Sequence, residues 1–583
     1  MTDNAAWITD FRPAAQMGGG VTAVPYSLDT RAGYMLRWTE PNDKPVKVSS
    51  PVRGWHEIHL GFWGPSGLRI RLAGEPWFDW IESVARWDFG PGGGEEAFWK
   101  IADLTNADFE LLPIPFVRQW YLKQSQLACI RLVPISDADA RTRLAAVKNQ
   151  STRTAGAVID GHEALGAFCP QSPDDVRAMI APFIDSDFRR IHFGCTLTTM
   201  RMMYLTKVGY WLGQDQPLGK LHTEHNRRGA RALQKAQRDG YDPLDILIDF
   251  AAKNELELWP SFRIQQDYPA DYSGGIGYDF NSPFTDAHPE WRHVDRQGNL
   301  CSHLFSHFHP GWEQYKLELL AEIARKGPAG IHLNLACEFD AIWDFASHAV
   351  AEFKKQYGLD PCEGQTPPVE WYQFRCDHFT AFLRRLRTQT NAIAAQLNKR
   401  IPIAVQVSAD QAILNGKPFG ARTVPANFLY GLDVGRWARE GLVDVVAPSF
   451  RRDFRPMFLD HVYEELGDAR ARVELAPSIG QYHPAVFPKG YDWAVYFTDE
   501  GKNRTDLLPL VELDPDLILR QAADLYAQGA DAVDVWEMGE AFVPRARWNI
   551  LKNIGHRDRL RQKFPTSITT ITGPIPHPLH FTP

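Results

Sequence analysis

GIHLNLACEFD, residues 330–340, is an almost unbroken apolar run that ends in acid. Ile331, Leu333, Leu335 and Ala336 read as a strand buried on both faces, the pattern of a parallel sheet covered by helices on each side. Glu338 and Asp340 then emerge at its end, where a buried strand has no structural use for charge. Seven further stretches share this texture: residues 155–160, 189–196, 255–263, 401–410, 442–450, 472–480 and 530–538. Eight such strands separated by helical patterns predict an α/β fold, a closed (β/α)8 TIM barrel.

The helices between them carry readable ends. Asp242 before Pro243, and Asp514 before Pro515, pair an N-cap side chain with proline at the first helical position, and Gly529 closes the second of these helices. Residues 197–240, 264–310 and 481–513 are too long for ordinary barrel connections and are rich in His, Tyr, Gly and Asp, which suits loops that build a pocket.

Upstream, segments such as HEIHLGFW, LRIRLAG and LACIRLVPIS alternate apolar and polar residues between Gly, Pro and Asp clusters. The expected organisation is therefore an N-terminal antiparallel β-sandwich, jelly-roll-like, over 1–150, the barrel over 151–560, and an extended Pro/Thr-rich tail over 561–583. With 583 residues, 44% hydrophobic and 23% charged, the chain can bury more than one core.

Composition narrows function. A net charge of -8 disfavours nucleic acid, and no apolar run approaches the ~20 residues that span a bilayer. No basic segment followed by an apolar one opens the chain, and the seven cysteines lack CxxC spacing, so a cytoplasmic protein without a disulfide framework or cysteine zinc site is expected. Neither GxSxG nor GxxxxGK[ST] is present. Nineteen tryptophans and 33 phenylalanines fit either a large core or flat faces for sugar rings.

The strand ends supply the chemistry. Barrel active sites lie at the C-terminal face, which makes Asp160, Glu338, Asp410, Asp453, Glu537 and Glu540 candidates. Glycoside hydrolysis needs two carboxyl groups about 5–5.5 Å apart for retention or about 6.5–9.5 Å for inversion, and strand ends of one barrel can provide either. Ion pairing with Arg263, Arg451 or Arg452 is the alternative use of Asp160 and Asp453. Glu338 and Glu537, which follow apolar strands beside Cys337 and Trp536, are the catalytic candidates. His222 and His225, and His303, His307 and His309, have spacings a metal could use, although no HExxH accompanies them; sugar hydroxyl binding is the other reading. Among Trp211, Trp259, Trp291, Trp312, Trp343 and Trp536, some should line a sugar subsite.

HPEWRHVDRQGN (288–299), GIHLNLACEFD, GLDVGRWAREGLVDVVAPSF (431–450), GADAVDVWEM (529–538) and RWNILKNIGHRDRL (547–560) resemble, in order, the landmarks of family-10-like glycosyl hydrolases, barrel proteins that often carry an N-terminal sandwich. The resemblance implies a carbohydrate substrate and covers roughly residues 155–560. The family's strand four resembles GIHLD, with an acid where this chain has Asn334, and Glu338 follows four residues later.

The resulting expectation is a glycoside hydrolase without cofactor or metal, free to form a homo-oligomer. Glu338 would be general acid/base, and Glu537 nucleophile or water-activating base. Asp160, Asn334, Asp410, Arg451, Asp453, Tyr482, His483, Trp536, Trp259 and Arg263 would hold the sugar. The rivals are a non-catalytic carbohydrate-binding barrel, suggested by Asn334, and a metal-assisted lyase or hydrolase built on the histidines.

Overall fold

The computed structural model describes residues 4–16, 20–28, 31–39, 44–64, 66–83, 94–114, 125–147, 150–196, 201–264, 277–336, 344–416, 420–450, 456–480, 515–539 and 544–565. The chain forms two units. One comprises residues 1–153 with 167–188 and 538–556; the other comprises 154–166, 189–537 and 557–583.

The first unit is antiparallel. Strands Ala6–Ile8, Cys129–Pro134, Trp55–Trp63 and Gly94–Asp103 form one sheet, Val46–Val48, Phe109–Pro113, Gly67–Leu72 and Asp79–Glu82 a second, and Gln126–Leu127, Arg31–Trp38 and Val21–Leu28 a third. Alternation along them sends Leu36, Ile58, Leu60, Leu68, Ile70, Phe109, Leu111, Ile130 and Leu132 into one core, the packing of a β-sandwich. The later segments belong here for a local reason. Trp548 stacks on Phe188 at 5.6 Å and meets the edge of Phe183, and the Asp187 carboxylate accepts from the Gly555 amide at 2.9 Å and from His556 at 2.6 Å.

The second unit is the barrel. Its strands are β1 (Ala155–Ile159), β2 (Phe188–Gly194), β3 (Glu257–Arg263), β4 (Ile331–Asn334), β5 (Ile403–Ser408), β6 (Val445–Ser449), β7 in two pieces (Glu474–Leu475 and Ser478–Ile479) and β8 (Val533–Val535). All pairings are parallel. β8 bonds β1 in register Ala155 with Val533, and β5 bonds β6, so the sheet closes on itself. Each of the eight expected stretches delivers one strand. The observed ladder is shorter: β4 stops at Asn334, and the buried Leu335 and Ala336 continue the apolar run beyond it.

Between strands, Asp242 accepts from the Leu244 amide at 2.9 Å and starts helix Pro243–Lys253, as its sequence predicts. Helix Pro515–Ala527 ends before Gly529, whose φ of 94° is left-handed. Helix Arg557–Lys563 runs past residue 561, where an extended tail was expected; residues 566–583 lie outside the described residues. Among the described residues no helix is long and apolar enough to cross a membrane.

Inside the barrel, the lowest layer is apolar. Trp259, Ala404, Val445, Ala476 and Ala532 form a floor, and a Cβ at Gly330 would fall 2.5 Å from the Trp259 ring. Trp259 is 3% exposed, so its expected role at a sugar subsite is corrected to that of a floor residue. Side chains alternate along a strand, and two residues further on lie Gly156, His192, Ser261, His332, Gln406, Ala447, Ser478 and Asp534. Barrel interiors are ordinarily filled by Val, Ile and Leu; this layer is mostly polar.

Gly156 is required there, because a Cβ would stand 1.9 Å from Asp534 Oδ1. Gly156→Ala should destabilise the barrel by about 1–3 kcal/mol through overpacking. Trp259→Ala should cost about 3–5 kcal/mol through the cavity it leaves. Denaturant unfolding followed by circular dichroism reads both, and an unchanged midpoint in either variant contradicts the packing described.

Candidate functional site

A small pocket opens at the C-terminal ends of β1, β2, β3, β4 and β8. β1 supplies Val158, Ile159 and, one residue past its end, Asp160; β2 supplies Gly194 and the nearby Thr196; β3 supplies Ser261 and Arg263. Asn334 comes from the end of β4, and Trp536 and Glu537 follow β8. Five residues expected at the site therefore meet in one place: Asp160, Arg263, Asn334, Trp536 and Glu537.

Both oxygens of Asp160 are engaged. Oδ1 accepts from His162 Nδ1 at 2.9 Å, and Oδ2 accepts from Arg263 Nη2 at 3.0 Å. This is the ion pair considered from sequence, and it fixes the Arg263 guanidinium at the cavity wall, with the Arg263 amide donating to Thr196 Oγ1 at 3.1 Å. The helix that follows β1 starts close against the end of β2, since a Cβ at Gly161 would lie 1.9 Å from the Gly194 carbonyl oxygen. Asn334 is 2% exposed, and its Oδ1 has no hydrogen-bond partner among the described residues. The Trp536 amide donates to the Ile479 carbonyl at 2.9 Å, which anchors the start of the turn that carries Glu537.

Glu537 has a φ of 54°. A side chain in left-handed backbone costs about 1–2 kcal/mol, and such residues gather at functional sites because the surrounding structure holds them there. Asp410 sits two residues past β5, half-buried, with Oδ2 accepting from Ser408 Oγ at 3.2 Å, and is not part of the cavity lining. Glu338, Arg451, Asp453, Tyr482 and His483 lie outside the described residues.

The histidines do not converge. The His222 amide donates to Asp279 at 2.8 Å, His225 packs against His162, His307 Nδ1 donates to Asp344 at 2.9 Å, and His309 stacks between Trp291 and His348. Among the described residues no group of three His, Cys, Asp or Glu side chains could hold a metal ion.

Beneath the cavity lies a group that the sequence reading passed over. Ser261 Oγ and His332 Nδ1 share a hydrogen bond of 2.7 Å, His192 Nε2 and Asp534 Oδ2 share one of 3.1 Å, and the two imidazole centroids lie 4.2 Å apart. Burial holds both histidines well below their usual range, helped for His192 by the charge of Arg190 and for His332 by His192. Burial also pushes the Asp534 carboxyl up to about 6, against the opposing pull of Arg190. Arg190 lies below, its guanidinium 2.8 Å from Glu474 and 4.8 Å from the Trp259 ring. A polar residue at every second strand position, as in IHFG, PSFR, IHLN and VDVW, is the signal that would have found this layer.

The sequence model of the glycosyl hydrolase-like 10 family matches residues 223–481. The chain resembles that family there, over β3 to β7, a span that includes Arg263 and Asn334 but neither Asp160 nor Glu537. No curated protein is significantly similar in sequence. Among solved structures, α-L-fucosidase isoenzyme 2 from Paenibacillus thiaminolyticus is similar at 12% identity and a TM-score of 0.42, over 70% of this chain and 50% of that one, so the chain spans half its length. The catalytic domain of β-amylase from Paenibacillus polymyxa is similar at 9% identity and a TM-score of 0.39, over 70% of this chain and 98% of that one. An inactive mutant of exo β-N-acetylglucosaminidase from Vibrio harveyi is similar at 11% identity and a TM-score of 0.33, over 76% of this chain and 59% of that one.

Asp534 links the site to pH. The folded carboxyl, with its pKa raised from 3.8 to about 6, keeps a proton that the unfolded chain releases. Its contribution to stability is fully present below pH 3.8 and is lost as pH rises through about 6. From pH 4 to 7 wild type should lose about 2 kcal/mol relative to Asp534→Asn, read by denaturant unfolding at each pH. Parallel stability curves for the two proteins would contradict the assignment.

Proposed function

We propose that the protein is a glycoside hydrolase acting on a small oligosaccharide or glycoside at the C-terminal face of the barrel. One observation carries this reading: Glu537, held in left-handed backbone next to Trp536, lines the same cavity as Asp160, Arg263 and Asn334. The likeness of residues 223–481 to a glycosyl hydrolase-like family supports the same class.

The roles follow from what each group can still do. Asp160 is neutralised by Arg263 and oriented by His162, so it holds sugar hydroxyls and is a poor proton shuttle. Asn334 Oδ1 accepts from a hydroxyl. Trp536, 3% exposed, forms part of the cavity wall beside Glu537. Glu537 is the nucleophile or the base that activates water, and Glu338 is its general acid/base partner. Asn334 stands where the family's strand four resembles GIHLD with an acid, and that motivates a second reading, a carbohydrate-binding barrel that does not turn over.

Proton NMR of the anomeric signals during the first minutes of incubation with α- and β-linked glycosides tests both. Release of sugar is expected, and the first anomer formed distinguishes retention from inversion. Glu537→Gln and Glu338→Gln should each lower kcat by about 100-fold or more. Near-wild-type turnover in both variants refutes the assignment, and saturable binding without turnover across the panel favours the binding barrel.

A further inference from the structure

β2, β4, β5, β7 and β8 each send one polar side chain to the middle of the barrel: His192, His332, Gln406, Ser478 and Asp534, none more than 1% exposed. Their inward direction follows from the period of two, because Ala404, Ala476 and Ala532, two residues earlier, pack in the floor with Trp259. After the Ser261–His332 and His192–Asp534 hydrogen bonds, several polar atoms remain. They are His192 Nδ1, His332 Nε2, Oε1 and Nε2 of Gln406, Ser478 Oγ and Asp534 Oδ1, and none has a hydrogen-bond partner among the described residues. Asn334 Oδ1, at the cavity, is in the same state.

An unmatched buried polar atom gives up its hydrogen bonds to water without return, and a domain's net stability is small enough for several such losses to consume much of it. So many unmatched atoms in one layer therefore call for an occupant. Donors and acceptors are mixed. Arg190 below opposes a cation, and the Asp534 carboxyl opposes an anion when it is ionised. An apolar molecule would satisfy none of the atoms. Water, which offers two donors and two acceptors in a small volume, matches the set.

We propose that the middle layer of this barrel is a water-binding site, in which ordered water bridges His192, His332, Gln406, Ser478 and Asp534 and runs through Ser261 and Asn334 into the cavity above. The cavity then receives water from beneath, opposite the side open to a ligand, and Asp534 exchanges protons with it. This goes beyond the glycosidase reading and stands whether or not the protein hydrolyses a sugar.

Two measurements on the full chain test it, neither of which uses activity. A crystal structure at atomic resolution should show discrete water within about 2.7–3.2 Å of the Gln406 amide, Ser478 Oγ and Asp534 Oδ1. Oxygen-17 relaxation dispersion of the solvent should show long-lived internal water, with an amplitude that falls in Ser478→Ala and falls further when Gln406→Leu is added. A dry layer in which Gln406 and Ser478 turn to bond the histidines and Asp534 directly overturns the proposal, as does dispersion unchanged in Ser478→Ala. Should the double variant fail to fold, the wild-type density and the single variant decide the matter.

Discussion

The hydrogen bond from His192 to Asp534 ties the second barrel strand to the eighth across the first. It passes over Gly156, the position on β1 that pairs with Asp534 in the ladder, where a Cβ would displace the Asp534 carboxyl. A closed parallel barrel needs the last strand to find the first in one register, because a slip of one residue would turn the inward row outward. The bond recognises that register from inside the barrel. Once Asp534 is placed, Trp536 follows on the same face two residues later, and the turn after it delivers Glu537 to the cavity.

The cost of this arrangement is desolvation. An ionised carboxylate taken fully out of water is destabilised unless it is paired, and the protein answers with a raised Asp534 carboxyl and two imidazoles kept neutral. Arg190 is as deeply buried, but Glu474 and Glu257 compensate it on one side and the Trp259 ring on the other. The barrel thus stacks a polar middle on a floor of Trp259 and small apolar residues, with the compensated Arg190 beside them, and carries Asp160, Arg263 and Glu537 at its rim.

The same order explains what could be read from the sequence. Existence of the eight strands was legible, because strands buried on both faces must be apolar over several residues and the helices between them announce their caps. Strand ends were not. Leu335 and Ala336 continue the apolar run of β4 beyond its last ladder residue, so Glu338 appeared to terminate a strand that stops at Asn334. Trp259 was misplaced for a related reason: an aromatic residue in a sugar-type barrel suggests a binding face. Counting back four residues from Arg263 at the rim puts it two layers down, in the floor. His192, His332 and Asp534 were overlooked as breaks in apolar strands, although their alternation with apolar neighbours recorded which side faced the barrel axis.

Asp160 and Glu537 then separate by environment. Asp160 has one oxygen on His162 and the other on Arg263. Its use is to orient the guanidinium and to accept from a ligand, and both require that the charge stay in place. Glu537 is positioned instead by the backbone, in a left-handed turn that β8 anchors through the Trp536 amide. The rim thus carries two carboxylates held in different ways, Asp160 between His162 and Arg263 and Glu537 on a left-handed turn after β8.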